Sequence, residues 1–308
     1  MSESIIKKWT RALLKFQNSI MRKKIFSKLK SRLKSLLIAQ SVIRSNPIFS
    51  AFSYQLRLGR SNKLDKKHSI LVIGCSGDIG ASLCSQLLRR GCEVYGTYFK
   101  NHHSLSNLSP EKTFKLDITS PSSIEAVFNK FESLNVSLDT IIIASGHLKK
   151  NELSVDLNND EINRDKLKIQ SAEAKTSFEI NALGPYLVAR AFAKLLRFDQ
   201  RIKKFVPQIC VLTSSIGTMH NEIYGGMYSY RASKAALHAV LMALYCDLRQ
   251  KNKVGILMAG PGSVKTKMNP YGNLSTNQSA NYIIDNIEHA SSSAKFQFLG
   301  LKGKRITW

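Results

Sequence analysis

The chain is predicted to fold as an α/β domain around a doubly wound parallel sheet. Three observations predict it. Short apolar, β-branched runs alternate with helical stretches from residue 69 onward. The first run, SILVIG, leads through a glycine-containing turn straight into a helix. No two strand-like runs are joined by a hairpin signal, so crossover helices must connect parallel strands. In order, the spacing predicts a strand from Ser69, a helix over 81–90 ended by Gly91, and the strand CEVYGTYF. A strand near 113–116, a helix over 122–134 and a strand over 140–144 follow. The remainder reads as a long helix over about 172–196, a strand over 208–212, a helix over 228–249 and a strand over 254–259. Residues 149–170 are polar and read as a surface segment leading into a helix. Residues 267–280 read as a short lid over a pocket, with a plain surface loop as the competing view.

Charge divides the chain. Of 46 Lys and Arg and 21 Asp and Glu in 308 residues, 17 basic but only 2 acidic residues fall in 1–68. Residues 1–68 therefore read as a basic extension and linker, and 69–308 as the domain. Within 5–37, apolar positions such as Ile5, Trp9, Leu13, Phe16 and Ile20 recur every three or four residues among lysines and arginines. That is a cationic amphipathic helix, or two in succession, with the pattern broken at Asn46-Pro47. An organelle targeting sequence, an interfacial helix on anionic lipid and helices packed on the domain all fit this pattern. A nucleic-acid arm does not need the apolar face, so no specific nucleic acid is expected. Residues 59–67 read as a polar linker. The localisation expected is cytoplasmic, at a membrane periphery through 5–37, or an organelle matrix if 1–68 is a targeting sequence.

The five cysteines have no CxxC pair and no regular spacing, which reads as free thiols in a reducing compartment. No Cys/His cluster of metal-ligand spacing occurs, so no metal is expected. No apolar run reaches the roughly 18 residues of a membrane span.

The turn after the first strand is Gly74-Cys75-Ser76-Gly77-Asp78-Ile79-Gly80. Glycines there permit a tight turn and close approach of a diphosphate to the free N–H groups at a helix start. Asp78 is out of place beside an anion unless its side chain turns away or serves the helix dipole. The second strand ends Thr97-Tyr98-Phe99-Lys100, without the acid that holds a ribose 2′-hydroxyl. Lys100, with His102 and His103 nearby, could meet a 2′-phosphate instead, which favours NADP with NAD as the alternative. Asp117-Ile118 follows the third strand, where a carboxylate can accept from an adenine amine.

Tyr230 and Lys234 are four residues apart and share one helix face. A phenol has a pKa of roughly 10, and an ammonium one turn away is expected to lower it and ready it for proton exchange. Tyr228 is six residues from Lys234 and faces elsewhere. Leu212-Thr213-Ser214-Ser215 closes the preceding strand at its carboxyl end, the edge where open α/β sheets bind ligands, and a serine hydroxyl there could hold a carbonyl oxygen.

With these residues the chain resembles the short-chain dehydrogenases/reductases over about 69–308. The matching pieces stand in the family's order: Gly74 to Gly80, Asp117-Ile118, Ala144-Ser145-Gly146, Asn181 in EINALGP, Ser215, Tyr230 with Lys234, and Pro261-Gly262-Ser263-Val264-Lys265-Thr266. NALGP, GGMYSYRASKAAL and the ending KFQFLGLKGKRITW are similar to C-factor-like and sniffer-like carbonyl reductases. The resemblance implies a Rossmann-type oxidoreductase that moves a hydride between NAD(P) and a small carbonyl or alcohol substrate. Ser215 would orient the carbonyl and Tyr230 exchange the proton. Lys234 would hold the nicotinamide ribose, Asn181 would support a water relay to Lys234, and Thr266 would touch the carboxamide. Cofactor contacts are implied for Gly74, Ser76, Gly77, Asp78, Ile79, Gly80, Lys100, Asp117, Ile118, Ala144, Gly146, Pro261, Gly262, Val264 and Thr266, besides Tyr230 and Lys234. Homo-oligomers are common in the family, and the helices over 181–196 and 228–249 would permit one. Three departures stand: Asp78 replaces the middle glycine, Ile143-Ala144-Ser145-Gly146 replaces NNAG, and Phe99 sits where an arginine often meets the 2′-phosphate. The rival is a non-catalytic NADP-binding sensor or scaffold tethered by the basic extension.

Overall fold

The computed structural model describes residues 63–100, 108–148, 164–197, 205–220 and 225–307. The helix expected over 5–37, the break at Asn46-Pro47, His102 and His103 lie outside the described residues. Seven strands form one parallel sheet: β1 Ser69–Ile73, β2 Glu93–Tyr98, β3 Thr113–Lys115, β4 Thr140–Ile143, β5 Gln208–Leu212, β6 Gly255–Ala259 and β7 Phe296–Leu299, in the order β3-β2-β1-β4-β5-β6-β7. The chain turns to one side of β1 for β2 and β3, then to the other for β4 onward. That reversal opens a crevice at the carboxyl ends of β1 and β4, the place where ligands enter such sheets.

The helices are α1 Asp78–Arg89, α2 Pro121–Ser133, α3 Arg164–Phe178, α4 Gly184–Phe192, α5 Tyr228–Asn252 and α6 Thr276–Ala290. β1, β4, β5 and β6 are buried at every position, because helices cover both sheet faces and both side-chain sets must be apolar. One face packs Phe131, Val188, Phe192, Leu237 and Leu241 against Ile141, Ile143, Ile209 and Val211. The other packs Leu83, Leu87, Ile283 and Ile287 against Ile70, Val72, Ile142 and Leu257.

Four sequence expectations change. The helix expected over 172–196 is interrupted by a π-helical turn, Glu179–Leu183, and restarts at Gly184-Pro185. Proline has no N–H to donate into the preceding turn, which loosens the ladder there, and Gly184 packs so closely on Ile118 that a Cβ would lie 2.9 Å from its carbonyl oxygen. Residues 276–280 of the expected lid are the first turn of α6, capped by Ser275 and Gln278, each side chain taking the other's backbone N–H. α6 and β7 extend the sheet beyond the last strand expected. The end of the expected linker also packs on the fold: Leu64 is buried and its N–H donates to Glu288, which itself pairs with Arg90.

Candidate active site

Above the carboxyl ends of the strands lies a cavity of about 600 Å³. Its floor is the glycine turn. Gly74 has φ +81°, which an L side chain rarely adopts, and a Cβ on Gly80 would lie 2.2 Å from the Gly74 carbonyl oxygen. The turn therefore closes tightly under the start of α1, whose N-cap, Gly77, makes no side-chain capping bond. Its first N–H groups face the cavity wall formed by Ser76, Gly77, Asp78, Ile79 and Gly80. Free N–H groups at a helix start are the kind of donor that can receive an anion. Thr97, Tyr98, Phe99, Asp117 and Ile118 line one arm, and Ala144, Ser145, Gly146, Tyr230, Lys234, Pro261 and Thr266 line the other. The Ser145 hydroxyl is shut from solvent without a hydrogen-bond partner, an orphaned polar atom at the wall. A long, mostly apolar crevice with an anion cradle and an unmet hydroxyl fits a dinucleotide.

Not every expected contact lies on this wall. Lys100 stands off it, with Nζ 5.3 Å from the ring centre of Phe99, and Phe99 itself, half-exposed, takes the wall position. Val264 is buried and bridges to Leu274, and Gly262 (φ +81°) packs against Leu274 and Leu301. Both shape the loop after β6 from behind. Asp117 lines the arm, with one carboxylate oxygen already accepting from the N–H and hydroxyl of Thr119 at 2.9 and 2.7 Å. The Asp78 carboxylate accepts from the backbone N–H of Lys267 at 2.7 Å, so the charge that sat awkwardly in the sequence is taken up across the cleft mouth.

The reactive end is assembled from three elements. Tyr230 and Lys234 occupy one face of α5, with the ammonium 5.6 Å from the phenol ring centre. Lys234 is 3% exposed, and its Nζ donates to the Leu212 carbonyl at 3.4 Å. The Tyr230 phenol shares a hydrogen bond with Ser214; Ser215, one residue on, is exposed, and neither serine lies on the cavity wall. The chain leaves β5 and at once enters a tight turn over 215–217, where Ser214 caps the Ile216 N–H, and that turn swings Ser215 outward.

Asn181 stands behind the wall, fully buried at the π-helical turn. Its Oδ1 accepts from the His147 N–H at 2.7 Å, and its Nδ2 donates to the His147 carbonyl at 2.8 Å and the Ser233 hydroxyl at 3.0 Å. The Ser233 hydroxyl donates in turn to the Tyr230 carbonyl. A side chain that pins a loop and a helix at once requires the local unwinding that the π turn provides. His147, Ile180 and Met268 also line the cavity. No spacing in the sequence singles them out.

Burial is the largest influence on both titrating groups of the site. Burial, not Lys234, dominates the phenol: loss of water pushes the Tyr230 pKa up to about 12, opposed by the Ser214 hydrogen bond. Burial lowers Lys234 to about 8. Tyr230 is thereby kept protonated, the form that can donate to a developing alkoxide. Deeper in, buried His238 shares a 2.6 Å hydrogen bond between its Nε2 and the Thr213 hydroxyl, and burial and then Lys234 lower its pKa to about 4. Among the described residues no His, Cys, Asp and Glu group could hold a metal, and no helix is long and apolar enough to cross a membrane. All five cysteines are free thiols.

Known proteins align with this arrangement. The chain is 27% identical over 245 residues to 1-hydroxy-2-glutathionyl-2-methyl-3-butene dehydrogenase of Rhodococcus sp. (strain AD45), covering 78% of this chain and 99% of that protein. It is similar in structure to a short-chain dehydrogenase/reductase of Burkholderia multivorans with bound NADP, at TM-score 0.66 and 23% identity, and to the carbonyl reductase Sniffer of D. melanogaster, at 0.67 and 21%. Each likeness covers 78% of this chain and 99% of the other. The sequence model of the short chain dehydrogenases matches residues 68–276. That span runs from β1 past the glycine turn, Tyr230 and Lys234 to the start of α6, and the chain belongs to this family of NAD(P)-dependent oxidoreductases.

Proposed function

We propose that the chain moves a hydride between NADP and the carbonyl or alcohol carbon of a small substrate, with Ser214 and Tyr230 on the substrate oxygen. One observation carries the reading: the Tyr230 phenol reaches the cavity with the Ser214 hydroxyl and the Lys234 ammonium flanking it. The dinucleotide supplies or takes the hydride. The protein holds the oxygen, moves one proton through Tyr230 and excludes water. The Ser76 to Gly80 turn would receive the diphosphate. Asp117 would take the adenine side, Ser145 and Lys234 the nicotinamide ribose, and Thr266 the carboxamide. NADP is favoured over NAD because β2 ends without an acid, and the similar Burkholderia structure carries NADP.

Tyr230→Phe tests the reading, since it removes only the proton. Carbonyl-dependent NADPH oxidation should fall by at least about 100-fold, while NADPH binding, followed by fluorescence, stays near the parent value. Equal turnover by the variant would remove Tyr230 from the chemistry.

The basic face of 5–37 supports a second, separate proposal of contact with an anionic membrane surface, on the cytoplasmic side or in an organelle matrix. Full chain should sediment with anionic liposomes and a chain starting at Ser69 should not. Equal sedimentation rules the contact out.

A further inference from the structure

The far end of α5 borders a second cleft, of about 350 Å³, that the reaction above does not use. Its floor is apolar, made by Met242 and Tyr245 from α5 with Phe296 and Phe298 from β7. The Tyr245 and Phe296 rings tilt together with centres 5.6 Å apart, and the Tyr245 hydroxyl donates to the Ala294 carbonyl at 3.1 Å. The tail then returns along β7, where Arg305 bridges Leu299 and the Ile306 N–H donates to the Phe298 carbonyl at 2.9 Å. Helix, edge strand and tail are thus bonded to one another, and the cleft is built into the fold. Tyr245 stands on the same helix as Tyr230 but roughly 22 Å further along its axis. No residue lines both cavities.

The rim is positive. Arg249, Lys295 and Arg305 line the cleft and are exposed, and the Arg249 guanidinium carbon lies 5.7 Å from the Tyr245 ring centre. No carboxylate lines it, and among the described residues none of these three cations is in an ion pair. Three like charges around one apolar floor repel one another, and an anion set between them relieves that cost. The same charge excludes two other occupants. Residues 1–68 carry 17 basic and 2 acidic residues, so the extension would add to the repulsion. A second copy packed here about a two-fold axis would set the three cations against the same three. What fits is a small molecule with a flat apolar body for the aromatic floor and one negative end for the rim. A carboxylate matches the planar fork of a guanidinium, and the volume is that of a small ligand site.

We infer that the cleft between α5 and β7 is a binding site for a small aromatic carboxylate, separate from the cofactor cavity. Arg249 and Arg305 receive the carboxylate, and the ring system lies against Tyr245 and Phe296.

The test titrates the full chain by calorimetry with 2-naphthoate. Acetate, which has the charge without the body, and 2-naphthalenemethanol, which has the body without the charge, are run beside it. 2-Naphthoate should bind one site per chain, and each control should bind at least about 10-fold more weakly. The double variant Arg249→Glu, Arg305→Glu changes only exposed side chains and should weaken 2-naphthoate by at least about 10-fold, with NADP affinity at the parent value. Lys295→Glu alone should shift affinity in the same direction. Amide hydrogen exchange over Phe296–Leu299 should slow when 2-naphthoate is added to the parent and stay unchanged in the double variant. The inference is overturned by a parent that does not bind 2-naphthoate, by equal affinity for the neutral alcohol, by undiminished binding in the double variant, or by displacement with NADP, which would put the ligand in the cofactor cavity.

Discussion

The Asp78 carboxylate accepts the Lys267 backbone N–H at 2.7 Å, joining two segments 189 residues apart across the mouth of the cofactor cleft. Asp78 opens α1, and Lys267 stands in the loop after β6 that carries Thr266 and Met268 to the cavity. A glycine at position 78 makes no such bond. The clasp therefore ties the diphosphate end of the cleft to its substrate end.

Breaking the clasp should be visible before any cofactor is added. Asp78→Ala should speed amide hydrogen exchange at Lys267 and lower apo stability by about 1 kcal/mol, the usual value of a hydrogen bond of this kind. Asp78→Asn keeps an acceptor oxygen and should retain slow exchange. Unchanged exchange at Lys267 in Asp78→Ala would mean that the loop is held by other contacts.

The two adjacent serines should separate cleanly. Ser214→Ala removes the partner of the Tyr230 phenol and should lower kcat by roughly 100-fold. Ser215→Ala touches an exposed hydroxyl and should leave kcat near the parent value. The reverse ranking would return the role to Ser215.

Lys234 should also mark the stability curve. Its folded pKa of about 8 lies below the ordinary lysine value of 10.5, so between those values the unfolded chain binds more protons than the native one. Stability contributed by this group therefore rises with pH from about 8 to 10.5. Above pH 10 Tyr230 works the other way, because its folded pKa of about 12 makes the unfolded phenol ionise first. Lys234→Met should unfold at higher denaturant than the parent at pH 7 without cofactor, lose the rise between pH 8 and 9.5, and lose activity. A parent curve flat over that window would show that Lys234 is charged at no penalty in the fold.

Much of the architecture was legible because burial leaves a local imprint. Strands covered on both faces must be continuously apolar, as SILVI and TIII are, and helices that cover them repeat every three or four residues. α6 was missed: Ser275 and Gln278 stand at capping-box spacing, but the polar run around them reads first as a loop. The break at 179–183 was missed although Gly184-Pro185 follows it, because a proline only loosens the ladder and the Asn181 bonds that accompany the turn reach a loop 34 residues away.

Sequence alone determined the sheet's class, the glycine turn and the pairing of Tyr230 with Lys234, because backbone sterics and helical periodicity are set by near neighbours. Tertiary structure decided which serine meets the phenol, whether burial or the ammonium governs its proton, and that Asp78 faces Lys267. Those outcomes depend on desolvation and on side chains brought together from distant segments, and neither quantity exists until the chain has folded.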